Sequence, residues 1–156
     1  MNSERIIPYF CVAFLSKNFS LTEPFNYQTV LIEKESKEYN ACRFALNTKL
    51  IVYRQAKITP TKIGQFVTLW KRNPNKIIAP FDATDAIDYV AVLVKNKIHL
   101  GLFLFPQDVL FQQGVFSTVV KQGKRAIRLY APWDIATSKQ ALATQKWQLN
   151  YFIDLS

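Results

Sequence analysis

The chain has 156 residues and a mass of 18.0 kDa, is 49% hydrophobic and 14% aromatic, and carries a formal net charge of +9 with a pI near 9.6. That composition excludes a disordered or fibrous chain, and at this length one core buries roughly 70% of the surface the unfolded chain exposes. No apolar run approaches the roughly 20 residues a membrane-spanning helix requires, so the expectation is a soluble protein with no membrane partner.

The four glycines and seven prolines are scattered, with no linker and no internal repeat, so residues 1–156 are read as a single domain. Cys11 and Cys42 are the only cysteines and His99 the only histidine. Such a set builds neither a zinc site nor a disulfide framework, and the expectation is a protein of the reducing cytoplasm with no cofactor and no metal. Ile6 to Leu15 is apolar between Arg5 and Lys17, but Glu4 and Pro8 break the pattern and no small-x-small cleavage site follows, which argues against a signal peptide.

In chain order, Ser3 caps a predicted helix running to about Lys17, with Pro8 counting against it. Tyr39 to Leu46 alternates like a strand, followed by a turn at Asn47-Thr48-Lys49. Leu50 to Ala56 and Gln65 to Lys71 are β-branched and aromatic runs, joined by Lys57 to Gly64, where Pro60 and Gly64 exclude regular structure. Asp88 to Val94 is a nearly continuous apolar strand of the kind found at a sheet centre. The link Lys95-Asn96-Lys97-Ile98 makes it a hairpin with His99 to Phe105. Pro106 opens a predicted helix that Gly114 ends, Arg125 to Tyr130 is strand-like, and Ala143, Trp147 and Tyr151 share one face of a helix over 138–155. The fold class is α/β (α+β), with a mixed sheet of five or six strands flanked by helices.

Charge is unevenly distributed. Between Glu38 and Asp82 lie Arg43, Lys49, Arg54, Lys57, Lys62, Lys71, Arg72 and Lys76 with no acid, and Lys121, Lys124, Arg125 and Arg128 form a second acid-free cluster. The bias points to polyanions, either nucleic acid or acidic lipid headgroups. Alternation places Arg54 on one face with Ala56, so under a covered sheet it needs a partner: an acid such as Glu38 or Asp88, or a phosphate.

The blocks Glu35 to Phe44, Arg54 to Arg72, Phe105-Pro106, Gly123 to Asp134 and Thr144 to Gln148 together resemble the MepB-like family of small bacterial proteins, named for a gene beside a multidrug exporter. The resemblance covers about 33–152. It implies a fold similar to the restriction-endonuclease core, with nucleic-acid binding the leading inference, and supplies no catalytic residues. Where the family has a Gln after the glycine and a Lys after the proline, this chain has Leu102 and Gln107. A site built on those polar residues is eroded here.

A nuclease of that fold needs two carboxylates and a lysine around a hard cation. Glu38 and Asp88 supply the carboxylates, but His99 to Phe105 lacks the acid-x-lysine step, and Gln55-Ala56-Lys57 is a weak imitation beside Arg54. Binding without cleavage asks only for cations, hydroxyls and aromatic faces. The candidate face therefore comprises Arg43, Arg54, Lys57, Thr59, Thr61, Lys62, Gln65, Trp70, Lys71, Arg72, Lys124, Arg125, Arg128 and Trp133, with no catalytic residue. For each tryptophan, core packing competes with base stacking. His99, alone, reads as structural. Two rival readings stay open: a metal-dependent nuclease using Glu38 and Asp88, and a module for a small hydrophobic ligand or a protein partner.

Overall fold

The structure, a computed structural model, describes residues 6–156. Proline has no N–H to give to a helix ladder, and Pro8 accordingly sits just before α1 (Tyr9–Asn18). The residue that counted against the helix sets its start; Ser3, the expected cap, lies outside the described residues.

The strands β1 (Leu31–Ile32), β2 (Cys42–Leu46), β3 (Lys49–Gln55), β4 (Lys57–Ile58), β5 (Gln65–Thr68), β6 (Trp70–Arg72), β7 (Ile78–Pro80), β8 (Tyr89–Lys95) and β9 (Leu100–Pro106) follow in chain order. After them come α2 (Gln107–Gln112), β10 (Ala126–Leu129), α3 (Lys139–Gln148) and β11 (Phe152–Asp154). The main sheet has six strands in the order β1-β2-β3-β8-β9-β11; β3 and β8 are parallel and all its other pairs antiparallel. A three-stranded sheet, β10-β5-β4, and a β6-β7 ribbon complete the α+β fold.

Strand alternation divides the core in two. Val52, Val90, Val92, Phe103 and Phe105 face one side, where Val67, Ile127 and Leu129 of the smaller sheet, Leu69 just beyond β5 and Leu110 of α2 cover them. Ile51, Tyr53, Ala91, Leu93 and Leu102 face the other, beneath Ile7, Cys11, Val12 and Leu15. Covering on both faces is why β8 reads as an unbroken apolar run. Leu102, at the departure from the family pattern, is fully buried in the second cluster, while Gln107 is exposed and donates its N–H to the Asp88 carbonyl.

Several boundaries differ from expectation. The strand predicted from Tyr39 starts at Cys42, because Lys37–Tyr39 coils into a 3-10 turn and Asn40 takes a left-handed backbone. The predicted 65–71 strand is two strands: at Leu69 the chain bonds to the Arg125 carbonyl (2.8 Å) and changes partner, from β10 to β7. The 57–64 connection begins with paired structure, β4 lying antiparallel to β5. The C-terminal helix stops at Gln148, passes through a 3-10 turn, and Phe152–Asp154 pairs with β9. Trp147 and Tyr151 do both pack on Phe105, as their spacing implied, but the aromatic and β-branched residues beyond them close the open edge of β9.

Candidate functional site

Of the predicted basic residues, Arg43, Arg54, Lys71 and Arg72 are paired with acids, while Lys62, Lys124 and Arg128 form a second group at a cleft that Lys146 also lines. Arg54 is completely buried: its Nη1 and Nη2 donate to the two carboxylate oxygens of Glu33 at 3.1 and 2.9 Å, Nε donates to the Thr68 carbonyl at 3.2 Å, and Nη1 also reaches the Tyr53 carbonyl at 2.9 Å. Its partner is thus an acid, but Glu33 rather than Glu38 or Asp88. Arg43 leans on the same Glu33 (3.4 Å), Lys71 is held by Asp85 (2.8 Å) and Asp82 (3.1 Å), and Arg72 meets Glu35 (3.3 Å) and lies over the Trp70 ring. Burial works against the Lys71 ammonium, but its hydrogen bonds to Asp85 and Asp82 outweigh that and raise its pKa; the Thr84 hydroxyl and Lys71 in turn hold Asp82 below the usual carboxylate range. A stretch without acids in sequence is therefore not without acids in space: Arg43, Arg54, Lys71 and Arg72 find carboxylates from flanking segments.

Several other candidates are also engaged within the fold. Gln65 is buried, with its amide donating to the Lys95 carbonyl, and Lys57 sits over the Tyr39 ring. Trp133 stacks on His99, with ring centroids 4.7 Å apart and planes 7° from parallel, and meets Phe152 edge-on. Asp88 accepts the Leu50 N–H at 2.8 Å, Glu38 is exposed, and Gln55 binds the Asn40 amide. Among the described residues, no three His, Cys, Asp or Glu side chains gather closely enough to hold a metal ion.

The second group converges. A cleft of about 980 Å³ lies between α3, β10, the 61–63 segment and Gln113–Val115, and Lys62, Lys124, Arg128 and Lys146 line it with no Asp or Glu. Among the described residues, no carboxylate is in ion-pair reach of these four cations. Arg128 organises one wall. It donates to the Thr59 hydroxyl (2.9 Å) and to the Ile63 and Gly64 carbonyls (both 3.3 Å), and its guanidinium lies over the Phe66 ring. Gly64 permits this closeness: its φ is +83°, and a Cβ there would stand 2.6 Å from the Leu129 carbonyl oxygen. Thr61 and Lys62 are thereby presented at the cleft from a loop pinned to β10.

The opposite wall is α3, started by Ser138, whose hydroxyl accepts the Ala141 N–H at 3.0 Å. Buried Gln148 ties the helix to β10, accepting the Tyr130 N–H and donating to the Arg128 carbonyl, both at 2.9 Å. Sequence reasoning missed Lys146 and the polar residues beside it, Ser138, Gln140 and Thr144, by following only the apolar face of this helix. The available signal was charge: from Val109 to Ile153 the only acid is Asp134.

A family model described as MepB-like matches residues 33–154, which include all four cleft cations. The chain belongs to the MepB-like family. It is also similar to a solved protein, "Crystal Structure of MepB", at 33% identity and a TM-score of 0.79, over 95% of this chain and 98% of that one. No curated protein matches. The MepB-like match begins at Glu33, so it takes in both the Glu33–Arg54 pair and the cleft, while α1 precedes it. No helix among the described residues is long and apolar enough to cross a membrane.

Proposed function

We propose that the protein binds nucleic acid without cleaving it, through the cleft between α3 and β10. The observation that carries this reading is the convergence of Lys62, Lys124, Arg128 and Lys146 on one concave surface without a carboxylate. A phosphate backbone is the ligand such a surface suits, because cations in a groove track phosphates while hydroxyls and amides complete their hydrogen bonding. Thr61, Ser138, Gln140 and Thr144 supply those groups here. The fold is read as a relative of the restriction-endonuclease core in which β9 carries neither acid nor lysine, so a metal-centred cleavage step has no ligands there. Cys11 and Cys42 are free, buried thiols pushed up to about 12 by burial, and such inert thiols suit a cytoplasmic protein.

Fluorescence anisotropy of labelled single- and double-stranded DNA and RNA, with EDTA and at several salt concentrations, tests the proposal. Binding that weakens log-linearly with salt is expected. Absence of binding at low salt overturns it.

One observation favours a second reading, a small hydrophobic cation as ligand: a crevice of about 360 Å³ between α1 and the 21–27 segment, lined by Tyr9, Val12, Leu21, Phe25 and Tyr27 with Glu23 as its acid. Lys17, also in the lining, opposes it. A rise in melting temperature with hydrophobic cations but not with oligonucleotides would select this reading.

A further inference from the structure

The run Thr118-Val119-Val120 is β-branched and by propensity belongs in a strand, yet it forms the tip of a loop between α2 and β10. Val119 is 105% and Val120 94% exposed, as open to water as side chains can be. The tip is not slack. Thr118 donates its N–H to the Lys121 carbonyl (2.8 Å) and its hydroxyl accepts the Lys121 N–H (3.1 Å). Below it, Gly123 N–H binds the Ser117 hydroxyl (2.8 Å), and Ser117 N–H binds the Phe81 carbonyl (2.8 Å). At Gly123 a Cβ would stand 2.3 Å from the Val115 carbonyl oxygen, so the base of the loop closes only around a glycine.

The position of this loop matters as much as its stiffness. Its two roots, Val115 and Lys124, line the cleft and are bonded to each other through Lys124 N–H and the Val115 carbonyl (2.9 Å). Lys121, Lys124 and Arg125 flank the valines, and no acid occurs between Asp108 and Asp134. A fixed pair of aliphatic side chains set among cations, at the rim of a basic groove, complements apolar base faces running between two lines of phosphate. A planar anionic membrane would also attract cations around an apolar tip, but the cations continue into a concave cleft that a plane cannot enter.

We infer that the Val119–Val120 tip is a wedge that enters a base step of a nucleic acid held in the cleft and partly unstacks it. Apolar wedges flanked by phosphate-binding cations act in this way on duplexes, the cost of unstacking being offset by the added contacts. The inference rests on the nucleic-acid reading of the cleft. It adds that the bound molecule is a duplex, or a junction of duplex with single strand, deformed at one step.

The test uses the full chain and a DNA duplex with 2-aminopurine at a central, easily unstacked TA step. Emission from that base and anisotropy from a terminal dye are followed together, for the native protein and for the Val119→Ser/Val120→Ser variant. Both substitutions are at exposed positions, and matching thermal melts establish that the variant is folded. The native protein is expected to raise 2-aminopurine emission as anisotropy rises. The variant is expected to bind within about tenfold of the native affinity, since lost contacts and avoided unstacking roughly cancel, and to leave emission unchanged. Binding by the native protein without a change in emission, or an unchanged emission rise in the variant, overturns the wedge while leaving the cleft reading standing. No anisotropy change at low salt with any duplex removes both. Binding to phosphatidylserine vesicles that the variant loses, with no effect on duplex emission, overturns the wedge and assigns the tip to a lipid surface.

Discussion

Replacing Glu33 by Ala removes the carboxylate that, alone among the described residues, pairs with the completely buried Arg54 guanidinium. Arg54 would keep the Thr68 and Tyr53 carbonyls, but Nη2 would lose its acceptor, and the charge would stay in the core with nothing to compensate it. Breaking a buried pair from one side costs about 3–5 kcal/mol, which at about 2–4 °C per kcal/mol for a domain of this size lowers Tm by roughly 6–20 °C. Urea unfolding followed by tryptophan fluorescence measures the loss directly. The double variant Glu33→Ala/Arg54→Met, which takes the charge out along with its partner, should recover most of it, because an apolar side chain of similar length fills the site without desolvating an ion. A Glu33→Ala loss below about 1 kcal/mol, the range of surface ion pairs, would refute the reasoning by showing that Arg54 reaches water. If the cleft binds nucleic acid as proposed, the double variant should leave that binding unchanged, since Arg54 is buried in the core rather than in the cleft.

Four cleft cations, if all neutralise phosphates, give a log–log salt slope of about −3.6 on duplex DNA, and Lys62→Gln/Lys146→Gln should halve it to about −1.8. Between 50 and 200 mM salt that is the difference between roughly 150-fold and roughly 12-fold weakening, which an anisotropy titration resolves. Gly64→Ala places a Cβ 2.6 Å from the Leu129 carbonyl oxygen in a backbone that only glycine adopts freely. It should cost about 1–3 kcal/mol in urea unfolding and weaken binding by displacing Lys62. The Asp82 carboxyl is held below its ordinary value, so the unfolded chain binds that proton more tightly. Its contribution is therefore present above the usual carboxylate pKa of about 3.9 and disappears as pH falls through the folded value. Lys71, raised, contributes below its ordinary pKa of about 10.4 and loses that contribution as pH rises through the folded value. Asp82→Asn keeps an acceptor for the Thr84 N–H; its stability deficit, measured by urea midpoints, should be constant near neutrality, begin to shrink below about pH 4 and vanish only below the lowered folded value.

What the sequence showed and concealed divides along the line between local and non-local causes. The hairpin of β8 and β9 was legible because burial on both faces leaves an apolar run that few other structures explain, and Pro106, Gly114 and the Asn47 turn mark ends by their own backbone limits. The split of β5 from β6 was not legible, because both halves are β-prone and the break at Leu69 is made by Arg125, far along the chain. The C-terminal strand was read as helix because Trp147 and Tyr151 do share a face, and nothing local announces that β9 lacks a neighbour on that side. For the site, the basic excess was visible but its neutralisation was not. Glu33 and Glu35 precede the basic block and Asp82 and Asp85 follow it, and it is these flanking acids that match Arg43, Arg54, Lys71 and Arg72. Lys62, Lys124 and Arg128 were named from sequence, and their meeting with Lys146 needed the packing of α3 on β10.

The Gln148 carboxamide has a further consequence. β10 is the outermost strand of its sheet, and an outermost strand displays free main-chain donors and acceptors that any other extended chain, including another copy of this one, can template upon. By taking the Tyr130 N–H and the Arg128 carbonyl together, one glutamine side chain imitates the neighbouring strand that is not there. At these two groups the wall of the cleft is closed to β-augmentation, and the basic, polar groove beside it does not offer them to another chain.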